Sequence, residues 1–155
     1  MSIESFLAEF YPKPAKRAIN TIVEAADHSY QKWLGRLPEN LEKHDCHIHY
    51  SAVNAGDPDE VTPVLYYGEG SCSLCQWSYR NDHSHLDHCE ICPITQLIGH
   101  TCDDDNIPEK RSIYVKAVHG NTSIEMIELL HKVRMFVRLN ELTHTASWCS
   151  SPIME

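Results

Sequence analysis

The chain has 155 residues, 42% hydrophobic and 23% charged, with a formal charge of −9 from 13 basic and 22 acidic side chains. That length makes about one domain of ordinary globular proportions, which excludes a large multidomain enzyme and a fibrous or wholly disordered chain. The sign of the charge excludes a uniformly basic nucleic-acid binder, because neutralising phosphates takes clustered Lys and Arg.

Seven Cys and eleven His are the unusual counts. No apolar run approaches the roughly 18–20 residues of a membrane span, and the start, MSIESFLAEFYPKP, has neither a basic n-region nor a signal-peptide core. The expectation is a cytoplasmic protein that keeps its thiols reduced and has no membrane association.

In chain order, Ile3, Phe6, Leu7 and Phe10 recur at helical spacing after a possible Ser2 cap, and Tyr11-Pro12-Lys13-Pro14 interrupts them. A near-3.6 period then runs from Ala18 through Ile22, Ala26, Tyr30 and Trp33 to Leu37, which predicts a long amphipathic helix over roughly 14–34. From Leu37 to Gly70 the period fails, and Asn54, Gly56, Pro58, Pro63 and Gly68 predict loops with at most a short extended run at Val61–Tyr67.

Beyond the cysteines, Pro108 to Gly120 predicts a helix over 108–119 with Ile113, Tyr114, Ala117 and Val118 on its apolar face. Thr122-Ser123-Ile124-Glu125 fits a capping box, and Met126, Leu129, Leu130, Val133, Phe136 and Val137 predict a last helix ending about Leu139–Leu142. Short connections place these helices in one core, so the fold expected over 1–155 is a single, mainly α domain. Its parts are N-terminal helices over 1–43, a metal-binding segment over 44–105, a helical pair over 106–142 and a tail over 143–155.

Residues 44–105 hold six of the seven Cys, seven of the eleven His, and eleven acids against Arg80 alone, a charge of −10. Within them, 72–102 read CSLCQWSYRNDHSHLDHCEICPITQLIGHTC: C-x2-C, thirteen residues, C-x2-C, nine residues, then Cys102. Two CxxC clasps in a reduced compartment are the usual bidentate grips on a tetrahedral zinc ion, because each turns two sulfurs toward one point. The expected ligands of Zn2+ are Cys72, Cys75, Cys89 and Cys92, organising an irregular, zinc-ribbon-like or knuckle-like centre. Cys102, His83, His85, His88 and His100 remain candidates for the fourth position or for support behind it, and an iron–sulfur cluster competes for four thiolates. Four protein sulfurs leave no open position, so such a site is structural rather than catalytic. Pro93 suits the first turn of a short helix over 93–98 closed by Gly99, with Cys92 at its positive end.

The stretch CSLC…CEICPI…LIGHTC, followed by IYVKAV and an amphipathic helix, resembles a group of small bacteriophage zinc-binding proteins over about residues 70–140. The long His-rich spacer departs from the group's pattern. The resemblance implies a phage origin and a metal-binding fold, and nothing catalytic.

Other motifs carry less. His44-Asp45-Cys46-His47-Ile48-His49 contains the DxHxH of amidohydrolase strands, but that family needs a barrel of roughly 200 residues or more; a second, modest metal site at His47 and His49 or a plain polar loop remains. His88-Cys89-Glu90 has the H-x-E of zinc deaminases with the proline on the wrong side of its CxxC. Asp103-Asp104-Asp105 reads as a solvated face, and Cys149 as a lone thiol.

The function these readings imply is a non-enzymatic zinc-binding phage accessory protein that presents an acidic surface to a protein partner. In one form of it, that surface inhibits a host nucleic-acid-binding protein by occupying a basic groove, with no direct nucleic-acid contact. A small metal-dependent hydrolase is the reading from a different class.

Overall fold

The structure, a computed structural model, describes residues 2–13, 15, 19–49, 64–66, 72–81, 89–102 and 123–144. It is mainly helical: α1 Ile3–Phe10, α2 Ile22–Gly35, α3 Pro38–His44, α4 Ser73–Asn81, α5 Pro93–Ile98 and α6 Ser123–His144. Two short strands, β1 His47–His49 and β2 Val64–Tyr66, pair in parallel with His47 opposite Val64. Among the described residues no helix is long and apolar enough to cross a membrane.

Helix α2 is the hub, packing against α6, α4 and α1, and α5 closes on α6. Its inner surface carries Ala25 and Ala26, both fully buried, so that the helices on either side approach its backbone closely. Facing it, α6 buries Met126, Leu129, Leu130, Val133 and Val137 at i, i+3, i+4, i+7 and i+11, the periodicity of one helical face. Asp27 ties the same two helices at their rim: it accepts from Arg134 Nε at 2.6 Å and from Arg138 Nη2 at 2.6 and 2.7 Å. The Arg134 guanidinium also lies 4.3 Å over the Tyr30 ring.

The expected helix over 14–34 begins later than its apolar period suggests. Ile19 and Asn20 are not helical, and Thr21 caps α2 instead: Glu24 N–H donates to Thr21 Oγ1 at 3.1 Å, while Glu24 Oε2 accepts from Thr21 N–H at 3.4 Å and from Asn20 N–H at 2.8 Å. This reciprocal box satisfies the orphan donors of the first turn, so the helix starts where they are met. Ile19 is nevertheless buried, which explains why hydrophobicity alone ran past the true start.

A second correction concerns the chain after Leu37, expected as loop. Pro38 occupies the first helical position of α3, where a missing N–H is harmless, and Asp45 ends the helix in the left-handed conformation at φ 55°. What holds so short a helix is His44, 1% exposed, at the edges of the Phe6 and Phe10 rings. Its Nδ1 is 2.7 Å from Ser5 Oγ and its Nε2 is 3.0 Å from Glu9 Oε2, and Lys43 reaches the same carboxylate at 2.8 Å. The first histidine of the HDCHIH run is therefore a bolt between α3 and α1.

The extended run expected at 61–67 is seen as β2, and the last helix runs to His144, beyond its expected end. The helix expected over 108–119 lies outside the described residues, as do His83, His85, His88, Asp103 to Asp105 and Cys149.

Gly35 marks a close approach of α2 to α1. A Cβ there would lie 2.6 Å from Phe6 Cζ and 2.8 Å from Phe10 Cβ. Gly35→Ala is therefore expected to lower stability by about 1–3 kcal/mol through overpacking, despite the better helix propensity of Ala. Leu130→Ala, at a fully buried site, should cost about 2–5 kcal/mol. Chemical denaturation checks both, and an unchanged midpoint for Gly35→Ala would refute the close contact.

Candidate functional site

The two CxxC clasps sit at helix starts. Cys72 immediately precedes α4, with its carbonyl accepting from Gln76 N–H at 3.0 Å, and Cys75 lies in the helix's first turn. Cys92 caps α5, its carbonyl accepting from Gln96 N–H at 3.0 Å and its N–H donating to the Cys89 carbonyl at 3.1 Å. Residues 73–81, expected as part of an irregular centre, are thus a helix. α5 matches the expectation, ending with Gly99 in the left-handed conformation at φ 81°.

α4 is fastened to the hub by hydroxyls. Ser73 Oγ donates to the Ala25 carbonyl at 2.7 Å and lies 2.6 Å from Ser29 Oγ, all of it buried. In so enclosed a place each polar atom needs a partner, and this chain supplies one to all three. It pins the first clasp to α2 one residue after Cys72. Leu74, fully buried, drives the next residue into the core.

The structure draws Cys72, Cys75, Cys92 and Cys102 into one electrostatic neighbourhood. The Cys75 thiol donates to the Cys72 sulfur, which the buried Lys32 ammonium and the N–H groups of Leu74 and Cys75 also favour as thiolate; despite burial, the Cys72 pKa falls to about 6. Cys75 is pushed well up, because it holds that shared proton and because burial and the sulfurs of Cys72, Cys102 and Cys92 all disfavour a second negative charge. Burial, followed by the Cys72 charge, raises Cys92 to about 11, against the N–H groups of Ile94 and Thr95. The hydroxyl of Ser78 is fully buried, without another hydrogen-bond partner among the described residues, and it favours the Cys92 thiolate.

Cys89 lies in the turn before α5, half-buried, and Cys102 follows α5, also half-buried. Cys46, Cys72, Cys75, Cys89, Cys92 and Cys102 are all free of disulfides. Cys46 stands apart from the constellation: it is buried, donates to the His44 carbonyl at 3.5 Å, and its pKa is raised by burial. His100 bonds locally to the Thr101 carbonyl at 3.0 Å, while His47 and His49 stand two residues apart on β1. Among the described residues, no three His, Cys, Asp or Glu side chains form a ready-made metal cluster.

Ser29, Lys32, Ser73 and Ser78 were not singled out from the sequence. Lys32 is 5% exposed on α2, although its place on the helical period beside Ser29 could have flagged it. Ser78 belongs to a helix that the CxxC pattern does not announce. Thiolates are the donors a borderline-soft ion takes; Lys32 and the N–H groups of Leu74 and Cys75 favour ionisation of Cys72, and those of Ile94 and Thr95 favour it at Cys92.

Compared with protein-family models, curated proteins and solved structures, the chain matches none of them.

In metal-free protein, Cys72 is expected to be the first thiol alkylated at neutral pH, with a rate midpoint well below the ~8.5 of a free thiol. Lys32→Met should move that midpoint upward. The sign for stability follows: with its folded pKa lowered, Cys72 contributes stability above the unfolded value, and that contribution is lost as pH falls through about 6. Cys75 and Cys92, raised, act oppositely above pH 9. Iodoacetamide labelling read by peptide mass spectrometry decides it. Equal labelling of all the thiols, or an unmoved midpoint in Lys32→Met, would contradict the assignment.

Proposed function

We propose that this chain is a non-enzymatic accessory module of phage origin, whose helical centre is fastened by a structural Zn2+ ion and whose acidic surface docks a protein partner. Cys72, Cys75, Cys89 and Cys92 hold the ion. One observation carries the reading: the two CxxC clasps stand at the starts of α4 and α5, where the sulfurs of Cys72, Cys75 and Cys92 bias one another's ionisation and the buried Lys32 favours charge on Cys72. Sulfurs left protonated in the core gain little there, whereas a divalent ion would neutralise the thiolates that burial otherwise forbids. Bound in that way, zinc supplies folding energy, about 10–16 kcal/mol of apparent affinity against a typical net domain stability of about 5–15 kcal/mol.

The chain's own residues prepare the place. Ser73 and Ser29 hold the first clasp against α2, Lys32 favours the thiolate of Cys72, and Ser78 favours that of Cys92. The −10 charge of residues 44–105 favours a partner with a basic groove, of which a host nucleic-acid-binding protein is the form that a phage origin suggests.

Metal analysis of the purified chain is expected to give one zinc per molecule, and cobalt substitution a thiolate-to-metal charge-transfer band. Cys72→Ser should release the ion and lower the melting temperature by more than ten degrees. Cys89→Ser should do the same while Cys102→Ser retains the ion, and the reverse would move the fourth ligand to Cys102. Protein that carries no metal, and melts unchanged after exhaustive chelation, overturns the proposal. Capture of a basic host protein should weaken steeply between low and high salt.

A further inference from the structure

The two clasps share a sequence pattern but differ in setting. Cys72 stands immediately before α4, its carbonyl already accepting from Gln76 N–H, and Cys75 lies in the first turn, so the pair occupies positions i and i+3 of one helical path. Helix geometry puts such Cα atoms about 5 Å apart, inside the roughly 4.4–6.8 Å that a disulfide spans. The Cys75 thiol donates to the Cys72 sulfur, so the two side chains meet. Both are half-buried rather than enclosed, which leaves a small oxidant access to them. Cys92, by contrast, is 4% exposed at the start of α5, bonded to the fully buried Ser78 hydroxyl.

The residues between the two sulfurs of the first clasp are anchored without help from an ion. Ser73 Oγ donates to the Ala25 carbonyl at 2.7 Å, and Leu74 is fully buried. Linking Cys72 to Cys75 therefore asks for side-chain rotation and leaves α4 in place. We propose that the first clasp is a redox switch on the zinc site: hydrogen peroxide joins Cys72 to Cys75 as a disulfide, the ion leaves, and a dithiol reverses the change. The release of the ion rests on the structural-zinc reading.

The chemistry balances on the two sulfurs. The Cys72 thiolate attacks one peroxide oxygen, the O–O bond breaks, hydroxide leaves, and Cys72 becomes a sulfenic acid. The Cys75 thiolate then attacks the Cys72 sulfur, the S–O bond breaks, and a second hydroxide leaves. Two protons from solvent convert both to water, so two thiolates and one peroxide give one disulfide and two waters. Thiolate is the ligating form of cysteine, so the ion loses two of its four sulfurs at once. Cys89 and Cys92 alone do not close a tetrahedral site, and the two clasps are no longer joined.

Peroxide titration of the zinc-loaded full chain tests this, with released zinc read by a chromogenic chelator and the thiols by peptide mass mapping. The expected result is a Cys72–Cys75 link that forms in step with zinc loss, one ion for each link, ahead of any link to Cys89, Cys92 or Cys102. Dithiothreitol with added zinc should return the starting state. Zinc held against a large molar excess of peroxide, release with sulfinic acid in place of a disulfide, or a first link elsewhere overturns the switch and leaves the zinc reading standing. Protein that carries no metal overturns the zinc reading and the release with it; there, a Cys72–Cys75 link ahead of every other still supports the couple, and any other order overturns it.

Discussion

The structure depends on how closely its helices can approach α2. Ala25 and Ala26 bring no side-chain bulk to that surface, and Gly35 brings none at the far end, where the Phe6 and Phe10 rings fill the space. Close approach lets a short polar bond act between elements: Ser73 reaches the Ala25 carbonyl only because α4 lies nearly on the α2 backbone. A helix of nine residues is marginal by itself, so α4 owes its existence to this docking.

The same closeness shapes the chemistry of the thiols. Desolvation opposes charge on every sulfur, and only local donors can reverse it. Cys72 has two kinds of donor, the neighbouring thiol and the helix N–H groups, together with the positive charge of Lys32, and its pKa is the one that falls. Cys75 and Cys92 experience the resulting negative charge and stay protonated.

The remaining polar burial is structural in character. His44 is enclosed by two phenyl rings and satisfied at both nitrogens, which turns a charged-looking HDCHIH run into a helix-to-helix fastening. Asp27, shared by Arg134 and Arg138, does at the solvent-facing rim of α2 and α6 what the apolar side chains do within. Exposed ion pairs of this kind contribute orientation more than stability.

Amino-acid order alone determined the mainly helical class, the positions of α1, α5 and α6, and the cysteines as the chemically unusual group, because periodicity and ligand spacing are local properties. It misplaced the start of α2, since Ile19 is buried without being helical, and it did not disclose α3 or α4, whose short and mixed sequences carry no strong period. Tertiary structure alone decided those helices, through the packing of His44 and Ser73 against partners about forty residues away. It also decided which side chains accompany the thiols. Lys32 and Ser78 reach the sulfurs across the gap between helices, and no spacing along the chain encodes a distance of that kind.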